Sequence, residues 1–145
     1  MIFLDTTVLV YAVGSPHPLA TPCRRVFEAI ADGALLATTT CEVVQEFAHA
    51  RARRRPRDDA ARLARSFAAS LSPLHPVDGD DLDEGLALFE QHPRLGAFDA
   101  VLAAAARRRG AGVLVSADQV FASVPGLRHL DPASPTFVAD LLSAG

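Results

Sequence analysis

The chain has 145 residues, half of them hydrophobic, with a formal net charge of −3. That length gives one domain with a sizeable core, and that charge excludes a polycation holding nucleic acid by bulk attraction, so any such contact must come from a local patch. No run reaches the ~18 apolar residues of a membrane-spanning helix, the apolar start lacks a basic leader, and Cys23 and Cys41 lack metal or redox spacing. The expectation is a cytoplasmic protein with two reduced, buried thiols.

Met1 to Leu4 reads as a short buried strand. Val8-Leu9-Val10-Tyr11 begins a helix that ends near Gly14, and Ser15 to Pro18 is a loop. Thr21-Pro22 carries the N-cap and first-turn signal of a second helix. Its apolar face is Cys23, Val26, Phe27 and Ile30, and Gly33 stops it. Ala34 to Thr40 reads as a second strand. Cys41 to about Arg54 is a helix with Val43, Val44, Phe47 and Ala48 inward. After Pro56, Asp58-Asp59 signal a helix facing inward through Leu63, Ala64, Phe67 and Leu71. Leu74 to Val77 is a candidate short strand. Asp80-Asp81 start a helix carrying Leu82, Leu86 and Phe89, with Pro93 beyond its end. Leu95 to Arg109 is helical with Gly110 as its C-cap. Gly112 to Ser116 is the clearest strand, and Leu127 to Leu130 the last. Strands alternating with helices predict a single α/β domain over residues 1–145, with a mainly parallel central sheet flanked by helices.

Four acids recur at strand ends and helix starts. Asp5 closes the first strand and is followed by Thr6 and Thr7. Glu46 lies inside the helix after the second strand. Asp99 opens the alanine-rich helix, and Asp118 follows the strand Val113-Leu114-Val115-Ser116. In an open parallel sheet, ligands bind outside the carboxyl ends of the strands. Carboxylates gathered there repel one another unless a cation intervenes, and a hard ion such as Mg²⁺ suits an all-oxygen set. Helix-dipole complementarity explains Asp58, Asp59, Asp80, Asp81, Asp83 and Glu84 without function. It explains Asp5 poorly, because a lone charge after a core strand is costly. Glu42 shares a helix face with Glu46. Glu46 is preferred for its core-edge neighbours Val43 and Phe47, but either could be the second acid.

These residues resemble a known family. Ile2-Phe3-Leu4-Asp5-Thr6, Val43-Val44-Gln45-Glu46-Phe47, Phe98-Asp99-Ala100, Ser116-Ala117-Asp118 and the later Val124-Pro125-Gly126-Leu127 are similar to the PIN-domain ribonucleases. The short layout is similar to VapC-type toxins of bacterial toxin–antitoxin pairs. The resemblance implies a metal-dependent ribonuclease. Its catalytic acids would be Asp5, Glu46, Asp99 and Asp118, of which Asp5, Asp99 and Asp118 would hold Mg²⁺, or Mn²⁺ in its place. Thr6 and Ser116 match the small hydroxyl positions beside the metal. The resemblance also implies a homodimer silenced by an antitoxin protein, with RNA as substrate. Thr7 stands where asparagine is common, and Ser116 where threonine is common. Arg51, Arg53 and Arg54, within an arginine cluster that includes Arg55 and Arg57, are candidate RNA contacts. A solvated helix end explains them equally well. Arg107-Arg108-Arg109 read as a helix C-terminus.

Rival readings meet specific obstacles. A haloacid-dehalogenase-type phosphatase needs a second aspartate two residues after Asp5, where Thr7 stands. A receiver-like domain needs a lysine, and the chain has none. A housekeeping nuclease or an inactive PIN-like binding module keeps the same fold.

Overall fold

The computed structural model describes residues 1–144. Four short strands, β1 (Ile2–Leu4), β2 (Ala37–Thr38), β3 (Val113–Val115) and β4 (Arg128–Leu130), form one sheet in the order β2-β1-β3-β4. All neighbours are parallel. Ile2, Phe3, Leu4, Leu114 and Val115 are fully buried, as expected of strands covered on both faces. The connections out of β1 and β3 leave toward opposite edges of the sheet. A crevice therefore opens beyond the carboxyl ends of these two strands. Leu4 pairs with Val115, so Asp5 and Ser116 emerge side by side into it.

Helices α1 (Thr6–Val13) and α2 (Ala20–Ala31) link β1 to β2. Helices α3 (Cys41–Ala52), α4 (Arg57–Ser70), α5 (Gly79–Gln91) and α6 (Ala97–Arg108) link β2 to β3, and α7 (Phe137–Ser143) follows β4. α1 packs on α2 and α3, α3 on α4, and α5 on α6. Ala100 and Ala103 to Ala106 are all fully buried along α6. Their small side chains let neighbouring backbone come close. A methyl group added at Gly85 of α5 would lie 2.6 Å from the Val101 backbone. Gly110 takes φ +71° just past α6 and donates to the Arg107 carbonyl, closing the helix as its sequence position foretold.

Several local expectations are corrected. α1 starts at Thr6 rather than Val8, because Asp5 caps it by accepting from the Thr7 amide. α2 starts at Ala20, which puts Thr21 and Pro22 in its first turn, where proline's missing N–H goes unused. Only Ala37 and Thr38 of the segment 34–40 pair as a strand. Leu74 to Val77 makes a single bridge, His75 to Thr40, and no strand. Cys41 is exposed at the head of α3, whereas Cys23 is buried, and burial pushes its thiol up to about 12. α5 turns Asp81, Gly85 and Leu88 inward and leaves Leu82, Leu86 and Phe89 at the surface.

Asp81 departs furthest from its expected role. It is fully buried, and its Oδ1 accepts from Arg108 at 2.6 Å and Arg109 at 2.8 Å. Burial alone would raise this carboxyl. The Arg109 hydrogen bond, the Asp78 amide and Arg108 outweigh it and hold the group at about 2. The three arginines ending α6 are thus tied to α5, since Arg107 also pairs with Glu84. Among the described residues, no helix is long and apolar enough to cross a membrane.

Candidate active site

The crevice holds a cavity of about 250 Å³ lined by Asp5, Thr6, Thr7, Val10, Tyr11, Glu46, Ala50, Asp99 and Asp118. Asp5, Glu46, Asp99 and Asp118 come from four distant segments and line this one space. Glu42 does not share it. Its Oε1 accepts from the Val77 amide at 3.3 Å.

Asp5 is 4% exposed and oriented by three donors to a single oxygen. Its Oδ2 accepts from the Thr7 amide at 3.2 Å, the Thr7 hydroxyl at 2.7 Å and the Ser116 hydroxyl at 2.7 Å. Oδ1 accepts from none of the described residues. Ser116 Oγ in turn accepts from the Asp118 amide at 2.9 Å. The Ser116 carbonyl lies 2.8 Å from His129 Nε2 on β4. Asp118 caps a 3₁₀ turn, Gln119–Ser123, through the Val120 amide. The Thr6 hydroxyl donates to Glu46 Oε2 and so links α1 to α3.

Asp99 sits in the first turn of α6, after Gly96. Neither of its oxygens accepts from another described residue. Burial, then the negative charges of Asp5, Asp118 and Glu46, push its carboxyl up to about 6. A group raised in this way is short of positive charge, and none of the nine lining residues supplies any.

That deficit fits a hard cation. The donors are carboxylate and hydroxyl oxygens, and Asp5 Oδ1 and the Asp99 carboxylate have no competing hydrogen-bond donor among the described residues. Among the described residues, no three acids, histidines or cysteines stand together as a ready cage for one ion. An ion here would meet some of these carboxylates directly and others through water, which is how Mg²⁺ is ordinarily held.

Sequence reasoning undervalued two residues. Thr7 does more than stand beside Asp5, because its hydroxyl also accepts from the Ala117 amide at 3.0 Å and ties β1 to the β3 exit. The only sign of this is its place two residues after the cap, where a side chain folds back. Tyr11, the sole tyrosine, lines the cavity one helical turn after Thr7.

The arginines divide. Arg51 Nε donates to Asp59 at 2.8 Å and Nη1 to the Val13 carbonyl at 3.0 Å, so it pins α3 to α4 and α1. Its guanidinium, with that of Arg62, holds the Asp59 carboxyl below the usual range. Arg53 makes a hydrogen bond to His49, and neither it nor Arg54 nor Arg55 has a carboxylate partner among the described residues.

Residues 2–127 match the model of the PIN domain. Over 140 residues the chain is 51% identical to Ribonuclease VapC7 of Mycobacterium tuberculosis, covering 96% of this chain and 97% of that protein. It is 35% identical to Ribonuclease VapC23 of the same species, over 85% of this chain and 97% of the relative. Among solved structures, VapBC2 from Rickettsia felis bound to a promoter DNA fragment shares the fold. Its TM-score is 0.71 at 18% identity, covering 90% of this chain and 98% of that one. A family model spanning most of the sequence, and a relative sharing half its residues end to end, settle the kinship that the four acids suggested: this chain belongs to the PIN-domain family, in its VapC group.

Proposed function

We propose that the chain is a divalent-metal-dependent ribonuclease that hydrolyses RNA phosphodiester bonds, acting in the cytoplasm as the toxin of a toxin–antitoxin pair. One observation carries the chemistry. Four carboxylates converge on one cavity without a counter-charge, and Asp99, which has no hydrogen-bond donor among the described residues, is raised to about 6. The VapC ribonuclease relatives supply the substrate class, and the toxin–antitoxin complexes among similar structures suggest the partner.

Asp5 and Asp99, with Asp118, are assigned to hold Mg²⁺, for which Mn²⁺ can substitute. When bound, the ion supplies Lewis acidity and neutralises charge building on the phosphate. The chain's own residues do the positioning. Ser116 and Thr7 lock Asp5 in one orientation with Oδ1 turned free. Thr6 holds Glu46, and the Val120 amide holds Asp118, so these two acids orient water at the rim. Water forms a new bond to phosphorus as the ester P–O bond breaks, and the departing oxygen takes the proton. An antitoxin would cover this cleft, and the toxin would form a homodimer.

The test is cleavage of mixed RNA by the purified chain with Mg²⁺, Mn²⁺ or EDTA. Cleavage with either ion, lost in EDTA and in Asp5→Asn, is expected. Full metal-dependent cleavage by Asp5→Asn would overturn the site, and phosphate release from small monoesters without RNA cleavage would overturn the substrate.

A further inference from the structure

A second cavity, about 480 Å³, adjoins the acidic one and shares Val10 and Ala50 with it as a common wall. Its apolar floor is Val10, Val13, Phe47 and Ala50, and its rim is Arg51, Arg53, Arg54 and Arg55. No carboxylate lines it. The volume falls in the ordinary range of small-molecule sites.

The two cavities follow one track along two helices. On α1, Thr6 and Thr7 face the acids, Val10 the shared wall, and Val13 the second cavity. On α3, Glu46, Ala50 and the arginines at its end repeat the sequence. From Glu46 to Ala52, where α3 ends, is six residues, about 9 Å along the helical axis, and Arg53 to Arg55 follow directly. Whatever leaves the acidic cavity along this track meets an apolar floor under guanidinium groups.

We infer that the second cavity is a subsite for one nucleotide of single-stranded RNA near, but outside, the cleaved bond. Its base lies on the apolar floor, and its phosphate meets Arg54 and Arg55. This rests on the ribonuclease reading and adds where the strand is gripped. Charge complementarity favours this occupant, since planar guanidiniums match phosphate geometry and stack on bases. Arg54 and Arg55 are free for that role, as neither has an ion-pair partner among the described residues. Arg51 is a positioning residue, because its Nε and Nη1 are committed to Asp59 and to the Val13 carbonyl. By bracing α1 against α3 it keeps the cavity open. The subsite also compensates for a chain whose net charge is −3 by concentrating attraction where the strand must lie.

The experiment measures cleavage of short single-stranded RNA by the full chain and by Arg54→Ala/Arg55→Ala. The double variant should raise KM about tenfold or more, leave kcat and Mn²⁺ affinity little changed, and flatten the salt dependence of RNA binding by about two phosphate contacts. Val13→Phe, which fills the floor without altering charge, gives a second arm. A substrate missing the base at one flanking position should lose about tenfold against the unaltered chain and much less against Val13→Phe. Unchanged KM and salt slope in the double variant would overturn the subsite while cleavage by the unaltered chain upholds the ribonuclease reading. Unchanged RNA affinity with lost binding of an acidic partner protein would reassign the cavity to that protein. No cleavage by the unaltered chain would overturn both.

Discussion

Ser116 Oγ lies 2.7 Å from Asp5 Oδ2 and 2.9 Å from the Asp118 amide, so one hydroxyl aligns two of the four acids. It is fully buried, and the parallel register of β1 with β3 sets its place beside Asp5. Ser116→Ala should therefore lower Mn²⁺ affinity and RNA cleavage about 10- to 100-fold, as expected when a group orienting a metal ligand is lost. Ser116→Thr, which keeps the hydroxyl, should recover most of both. Calorimetric Mn²⁺ titration of the two variants checks this.

Asp99 sets a pH dependence whose sign follows from its raised carboxyl. The unfolded chain releases this proton near 3.9, whereas the folded one holds it to about 6. Between these values the native state binds more protons than the unfolded state, so stability falls as pH rises. Above about 6 the full cost is present, on the order of 1–2 kcal/mol after allowing for partial exposure. Metal-free protein should melt lower at neutral pH than near pH 4 by this contribution, and Mg²⁺ should restore the difference. Asp99→Asn should remove this part of the pH dependence, gain stability in EDTA at neutral pH, and lose cleavage. Thermal melts with and without EDTA across pH read all three.

Gly96 makes room for the same carboxylate. A methyl group built on its backbone would stand 3.2 Å from Asp99 Oδ2, closer than comfortable contact. Gly96→Ala should shift Asp99 by tenths of an ångström and cost about tenfold in kcat, with the melting temperature little changed. Normal kcat in this variant would mean that Asp99 does not need its present position.

Glu42 and Glu46 lie one turn apart on α3 but point to different places. Glu46→Gln should impair cleavage strongly, because Glu46 lines the cavity and is held by Thr6. Glu42→Gln should leave cleavage intact, because its carboxylate meets the Val77 amide. Parallel cleavage assays decide between them.

Asp81 concerns stability alone. Asp81→Asn leaves Arg108 and Arg109 without their shared carboxylate and should cost about 3 kcal/mol, the lower end for a buried pair because both arginines keep some solvent. With its folded carboxyl depressed to about 2, the stabilisation is complete above the unfolded value near 3.9 and is lost as pH falls toward 2. Chemical denaturation of variant and parent should converge at the acid end. Metal affinity in the cold should be unaltered.

The elements and the acids were legible to different degrees, for physical reasons. Asp5 stood out because a charge directly after a buried strand needs a partner, and that partner set lies in the crevice. Glu46 was harder to place. Its neighbour Phe47 is buried while Glu46 itself is exposed, so core periodicity alone could not choose between it and Glu42. That choice depends on α1 lying against α3, which brings Thr6 to it. Asp81 looked like an ordinary first-turn acid, since its burial comes from α6 packing across α5, a contact between segments more than 20 residues apart in sequence. Leu74 to Val77 has strand-like composition but only one bridging neighbour. α7 was not foreseen because its seven residues send only Phe137 and Leu141 inward, too few to mark a period.

The register that sets Leu4 beside Val115 also has a consequence in time. β1 leaves the ribosome first, yet its neighbour β3 and the serine that aligns Asp5 are synthesised more than a hundred residues later. A nascent chain that ends between Asp99 and Ser116 holds three of the acids but lacks both the hydroxyl that aligns Asp5 and the fourth acid, Asp118. The acidic crevice is therefore completed only when the last central strand has joined the first.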